Sequence, residues 1–189
     1  MSRPLQPSMR LGRMISHIRQ NDGFTLIELM VTVAVLAILV TLAVPSFTSL
    51  INSNRLTGQA NSLVADLQLA RSEAIRRNRT ITVCRSTDGA TCAGATGAWE
   101  TWLTVIPGTS PLEVLRTGSV KAPVELSAGV DSVDFRSDGM ARDAVGALLA
   151  ANIVVCIPTT RPAENIRSVN IAAGSRVNVI PSSNAGACP

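Results

Sequence analysis

The chain has 189 residues, with 46% hydrophobic and 16% charged side chains, and a formal net charge of +4. That composition excludes a disordered polyelectrolyte and leaves room for one ordinary domain with an appendage. Residues 1–23 hold Arg3, Arg10, Arg13 and Arg19 against Asp22, which leaves 13 basic and 12 acidic groups in the other 166 residues; a basic footprint over a whole domain is excluded and only local patches remain.

The first element follows these arginines. Residues 24–44 carry a single charge, Glu28. As a helix they span about 30 Å, enough to cross the hydrocarbon core of a bilayer. The arginines before them place residues 1–23 in the cytoplasm and send the C-terminus across the membrane. A cleaved signal peptide fits poorly, because the apolar run is too long and no small-x-small site follows it. A plain single-pass anchor leaves Glu28 unexplained, since a carboxylate costs roughly 2.5–3.5 kcal/mol at the centre of such a helix.

Gly23, then Phe24-Thr25-Leu26-Ile27-Glu28, then an apolar helix containing Pro45, resembles the N-terminus of type IV pilins and pseudopilins. The resemblance implies that a prepilin peptidase cuts between Gly23 and Phe24 and methylates the new amine of Phe24. Glu28 then becomes the fifth mature residue and Pro45 the twenty-second, at the family's assembly positions. The chemistry is consistent with this. Glycine gives the protease a small, flexible residue at the cut. The new ammonium can pair with Glu28 of a neighbouring subunit, which offsets the cost of a carboxylate in a low-dielectric bundle. The alternative for Glu28 is a side chain that snorkels to the headgroups. Met14 is an alternative start to Met1, and the cut site is the same for both.

Beyond the apolar run, Pro45 removes a backbone donor and is expected to kink the helix. Asn52-Ser53-Asn54 marks the exit into water. Leu56, Ala60, Leu63, Leu67, Ala70 and Ala74 then step by alternating fours and threes, one stripe of an amphipathic helix. A single helix is therefore expected over residues 24–77, its second half packed on a globular head. After Asn78, β-branched runs at 80–83, 102–106, 114–117, 133–135, 153–157, 169–171 and 177–180 are separated by Gly, Pro, Asp and Ser clusters, as in antiparallel strands. The fold class expected is α+β and pilin-like: one long N-terminal helix, half membrane and half amphipathic, on an antiparallel β-sheet head. The domain expectation is a leader over 1–23, a transmembrane or filament-core helix over 24–44, its amphipathic continuation over 45–77 and a β-rich periplasmic head over 78–189.

All four cysteines, Cys84, Cys92, Cys156 and Cys188, lie beyond the membrane segment, on the side that permits disulfides. Three connectivities are open. The short Asp-Gly turn between Cys84 and Cys92 favours that pair, with Cys156–Cys188 as the second. Zinc needs tighter ligand spacing, and the chain beyond the leader has no histidine.

The head narrows the resemblance. Residues 82–92, the Trp99/Trp102 pair, Phe135-Arg136-Ser137-Asp138-Gly139, Cys156 and Arg167-Ser168-Val169-Asn170-Ile171 occur in an order similar to the GspH/FimT group of minor pseudopilins. The group's W-x-x-G-W motif is shortened here to Trp99-Glu100-Thr101-Trp102. The group includes type II secretion pseudopilins, minor pilins that prime type IV pili, and a DNA-binding pilin with a C-terminal G-R-x-R string. Ser175-Arg176-Val177-Asn178 keeps one arginine of that string, with serine for the glycine and asparagine for the second arginine. Asn178 can donate a hydrogen bond but releases no counterion. Arg167, Arg176 and Asn178 are the candidate DNA contacts on this reading. A second basic cluster, Arg71, Arg76, Arg77, Arg79 and Arg85 opposed by Glu73, reads as a solvated helix end or as a grip on DNA or an acidic neighbour.

Asp131, Asp134, Asp138 and Asp143 do not match the spacing of a calcium loop. No phosphate loop or nucleophile elbow is present, and the only imidazole, His17, lies in the leader. The expectation is a non-enzymatic inner-membrane subunit with no cofactor and no metal. Its implied partners are the prepilin peptidase, other pilin or pseudopilin subunits and an inner-membrane assembly platform, in a pilus or secretion pseudopilus. The alternatives are a DNA-binding minor pilin and an ordinary anchored envelope protein, the last predicting that Gly23 is never cut.

Overall fold

A computed structural model describes residues 23–143 and 145–189; the leader arginines, His17 and both candidate start residues lie outside them. The described residues up to Val40 belong to one compact unit and those from Thr41 onward to a second.

Helix α1 runs from Leu26 to Arg77. Thr25 starts it: its hydroxyl accepts the Glu28 backbone N–H at 3.3 Å, the bond an N-cap supplies. Asn78 ends it in a left-handed conformation, φ 51°. The Asn78 N–H donates to the Ile75 carbonyl and the Arg79 N–H to the Ala74 carbonyl, which is a Schellman closure with asparagine in place of the usual glycine. Pro45 lies inside the helix, which continues through it.

The first half of α1 is mostly apolar, and none of its residues is buried. In the second half, Leu56, Ala60, Leu63, Leu67, Ala70 and Ala74 are fully buried and form the helix's share of the core.

Ten strands follow: β1 (Ile81–Ser86), β2 (Gly97–Ala98), β3 (Thr101–Ile106), β4 (Glu113–Ser119), β5 (Glu125–Ala128), β6 (Ser132–Phe135), β7 (Ala141–Arg142), β8 (Ala151–Cys156), β9 (Ile166–Ile171) and β10 (Val177–Ser182). They form two five-stranded antiparallel sheets, in the orders β4-β3-β1-β6-β7 and β10-β9-β8-β5-β2. This differs from the single sheet expected. β2 and β7 are two residues each, and β5 is short and made partly of small residues, so none carries a readable alternation. One core joins the helix stripe to both sheets through Ile81, Val83, Trp102, Phe135, Ile153 and Val169. A smaller cluster of Cys84, Leu103 and Val105, with Leu112 against it, covers the other face of the first sheet.

Candidate functional site

Gly23 and Phe24 precede α1 in non-helical backbone, and Phe24 is 82% exposed. The Thr25 cap thus leaves the Gly23–Phe24 bond outside the helix, in the extendable form a protease cleft can take. A Cβ built on Gly23 meets nothing within 4 Å, so this fold does not itself require glycine there. Glu28 lies in the first turn, where the helix dipole favours an acid. Pro45 stands 17 residues further along α1. Between them, Leu29, Met30, Val33, Leu36, Ile38 and Leu42 are exposed. The helix is long and apolar enough to cross a membrane. So large an apolar surface is stable only against lipid or other apolar helices.

In the head, the most constrained polar group is one the sequence reading passed over. Asp66 of α1 is 1% exposed. It accepts the indole N–H of Trp102 from β3 at 2.6 Å and faces Arg116 Nε from β4 at 2.8 Å. Helix and first sheet are thereby tied at a buried charge. Burial raises the Asp66 carboxyl above the usual aspartate range, against the pull of the indole hydrogen bond and the Arg116 charge. Because the folded value is raised, the native state binds this proton more tightly. Asp66 therefore adds stability as pH falls through its folded value and subtracts from it above. Glu73 works the other way. Arg76 and Arg77 hold its carboxyl down to about 2, so its contribution is present above the ordinary glutamate value and lost toward pH 2. We expect Asp66→Ala to cost about 2 kcal/mol, because it orphans a buried indole donor. Asp66→Asn keeps an acceptor and should cost less. The stability gap between the wild type and Asp66→Asn should widen in favour of the wild type on acidification, read by urea titration across pH. A gap that narrows would mean that the arginine and the indole outweigh burial.

The structure joins Cys84 to Cys92 and Cys156 to Cys188. Inside the first loop, Asp88 accepts the backbone N–H groups of Ala90 and Thr91 and the hydroxyls of Thr91 and Ser86, an acceptor role that holds its carboxyl below the usual range. Asn165, fully buried, donates to the Ile157 and Ala187 carbonyls and so fixes the tail beside the second disulfide.

The basic cluster does not form a free patch. Arg76 and Arg77 pair with Glu73, and Arg77 also with Glu113, an acid 36 residues away that the sequence reading did not count against it. Arg71 donates to the Ser175 carbonyl, and Arg85 to the carbonyls of Ala95 and Ala98. Arg79 is exposed. Arg167 spends its guanidinium on the carbonyls of Glu164 and Ile166 and on the Ser53 hydroxyl. Arg176 and Asn178 are exposed at the start of β10. The DNA-binding alternative gains no support from this arrangement.

Ser175, in the position of the G-R-x-R glycine, has φ 63° and is fully buried. A non-glycine residue there costs roughly 1–2 kcal/mol. Its hydroxyl compensates by accepting the buried Ala141 N–H. Ser175→Ala keeps the strain and loses the bond, and should destabilise by about 2 kcal/mol. Ser175→Gly loses the bond but relieves the strain, and should cost less. Thermal melts ranking alanine above glycine would contradict this.

The four acids do not gather. Asp134 accepts the Thr82 hydroxyl, Asp138 pairs with Arg142, and Asp143 accepts the N–H groups of Val145 and Ala147. Among the described residues, no group of three or more metal-ligating side chains comes together.

Comparison with known proteins bears on these features together. The family model described as type II transport protein GspH matches residues 59–176, and that of the prokaryotic N-terminal methylation motif matches residues 18–44. The type IV minor pilin FimU of Pseudomonas aeruginosa is similar in fold, with 23% identity and a TM-score of 0.51 over 70% of this chain and 92% of that one. So is the minor pseudopilin EpsH from the type 2 secretion system of Vibrio cholerae, with 12% identity and a TM-score of 0.50 over 67% of this chain and 97% of that one. No curated protein matches the chain.

Proposed function

Because the chain belongs to the GspH family and carries the prokaryotic N-terminal methylation motif, we propose that it is cut after Gly23, methylated at Phe24 and packed into a filament through α1, at the initiating or tip end. It is a minor pilin or pseudopilin of a type IV pilus or type II secretion system, and its fold is pilin-like. The carrying observation is the exposed apolar first half of α1, which opens on Gly23-Phe24-Thr25-Leu26-Ile27-Glu28. Before assembly that surface sits in the inner membrane. The arginines of the leader hold it with the head on the periplasmic side. After assembly the surface packs on the helices of neighbouring subunits, where Glu28 meets a neighbour's ammonium. The prepilin peptidase and an inner-membrane assembly platform are the partners this requires.

The role is structural. Beyond the leader there is no imidazole, and all four cysteines are bonded in pairs. The test is deletion of the gene. Sheared surface pili that fall sharply assign the chain to pilus initiation. Intact pili with lost protein secretion assign it to a pseudopilus. Unchanged pili and secretion would overturn the proposal.

A further inference from the structure

A cavity of about 510 Å³ lies where α1 enters the head. Asn54, Arg55, Gln59 and Ser62 of α1 line one side, and Ser119 and Lys121 the other. Two cations and four hydrogen-bonding side chains therefore converge, and no acid lines the cavity. Among the described residues, neither Arg55 nor Lys121 takes part in an ion pair. The walls are fixed: the Gln59 amide donates to the Ser119 carbonyl at 3.1 Å, and the Val124 N–H closes a turn on the Lys121 carbonyl. Gly58 leaves the helix side open, since a Cβ there meets nothing within 4 Å. Such a donor set suits a phosphate-type anion.

The position of the cavity says which anion. Ile51 is the last exposed large apolar residue of the run on α1, and with the hydrocarbon edge set there the core of about 30 Å is spanned by residues 32–51 rather than 24–44. Arg55 follows four residues later, about 6 Å along the axis. The headgroup layer of a leaflet is roughly 5–7 Å deep. Asn52 donates to the Arg161 carbonyl, which brings a third exposed cation's backbone to the same level of the helix. We propose that this cavity binds the phosphodiester headgroup of an anionic membrane lipid while the subunit is anchored, seating the head on the bilayer surface. The proposal rests on α1 being the membrane anchor.

Lys121 is the chain's only lysine, so its reactivity is a direct readout. The full-length chain is reconstituted in phosphatidylcholine vesicles with or without phosphatidylglycerol. Acetylation of Lys121 by a water-soluble reagent is followed by peptide mass. We expect phosphatidylglycerol to slow it about fivefold. Arg55→Gln should restore most of the rate, and Arg176→Gln, at an exposed arginine outside the cavity, should not. Slowing that persists in Arg55→Gln would reduce the effect to bulk surface potential and overturn the site. Equal slowing by inorganic phosphate in phosphatidylcholine vesicles would make it a free-phosphate site. Slowing that needs other subunits and ignores lipid would make it a docking point for a protein acid. Both results overturn the lipid assignment. A chain that fails to float with vesicles overturns the anchor itself. One that floats with Lys121 fully reactive overturns only the headgroup site.

Discussion

Glu28→Ala is expected to leave cleavage after Gly23 intact and to reduce incorporation into filaments at least roughly tenfold. The carboxylate stands in the first turn of an apolar helix, four residues past the new N-terminus. Alone in a low-dielectric bundle it is costly. Paired with the ammonium of an adjacent subunit's Phe24, as proposed, it would neutralise two charges at once. Alanine removes the carboxylate and leaves that ammonium uncompensated, and breaking one side of a buried pair costs about 3–5 kcal/mol. Glu28→Gln keeps an acceptor without the charge and should fall between. Mass analysis of the chain reads cleavage, and immunoblots of the sheared fraction read incorporation. Normal incorporation of Glu28→Ala would remove the pairing role.

Gly118→Ala is expected to be the most destabilising single-methyl change in the head. Gly118 of β4 is the cross-strand partner of Trp102 on β3. A Cβ at Gly118 would overlap the indole at Cε2, Cζ2 and Nε1. The indole cannot easily yield, because it is fully buried in the main core and its N–H is held by Asp66. Relief must come from β4 moving away, which also pulls Arg116 from Asp66. Overpacking of this kind costs about 3 kcal/mol, or roughly 6–12 °C in Tm for a chain of this size. An alanine variant with an unshifted melt would show that the indole has another seat. The contact also gives a physical use for the second tryptophan of the shortened Trp99-Glu100-Thr101-Trp102 motif: it packs on a glycine and reaches back to the helix.

The long helix was legible because its two halves carry different strong signals. One is an uninterrupted apolar run. The other is a stripe stepping by fours and threes, whose six members are all buried. Seven strands were legible from β-branched runs, with ends displaced by a few residues. The division into two sheets was not, because the three short strands β2, β5 and β7 carry almost no pattern. The Asp66 node was missed for a different reason. Its partners lie 36 and 50 residues away in sequence, and only tertiary folding unites them. A signal did exist: Asp66 falls three residues after Leu63 and one before Leu67, so it is an acid on the apolar stripe. The partners of the arginine cluster were not legible, because charge counting over a short window cannot see Glu113 or the carbonyls that Arg71 and Arg85 bind.

This chain is proposed to be a processed subunit of a filament. The N-terminus and mass of the chain recovered from sheared filaments or purified pseudopili, in a peptidase-competent strain, test it most directly. The expected result is a chain that begins at Phe24, carries one added methyl group on its amine and is absent from that fraction when the peptidase gene is deleted. A chain that keeps residues 1–23 intact, or that stays wholly in the membrane fraction while filaments form without it, would contradict it.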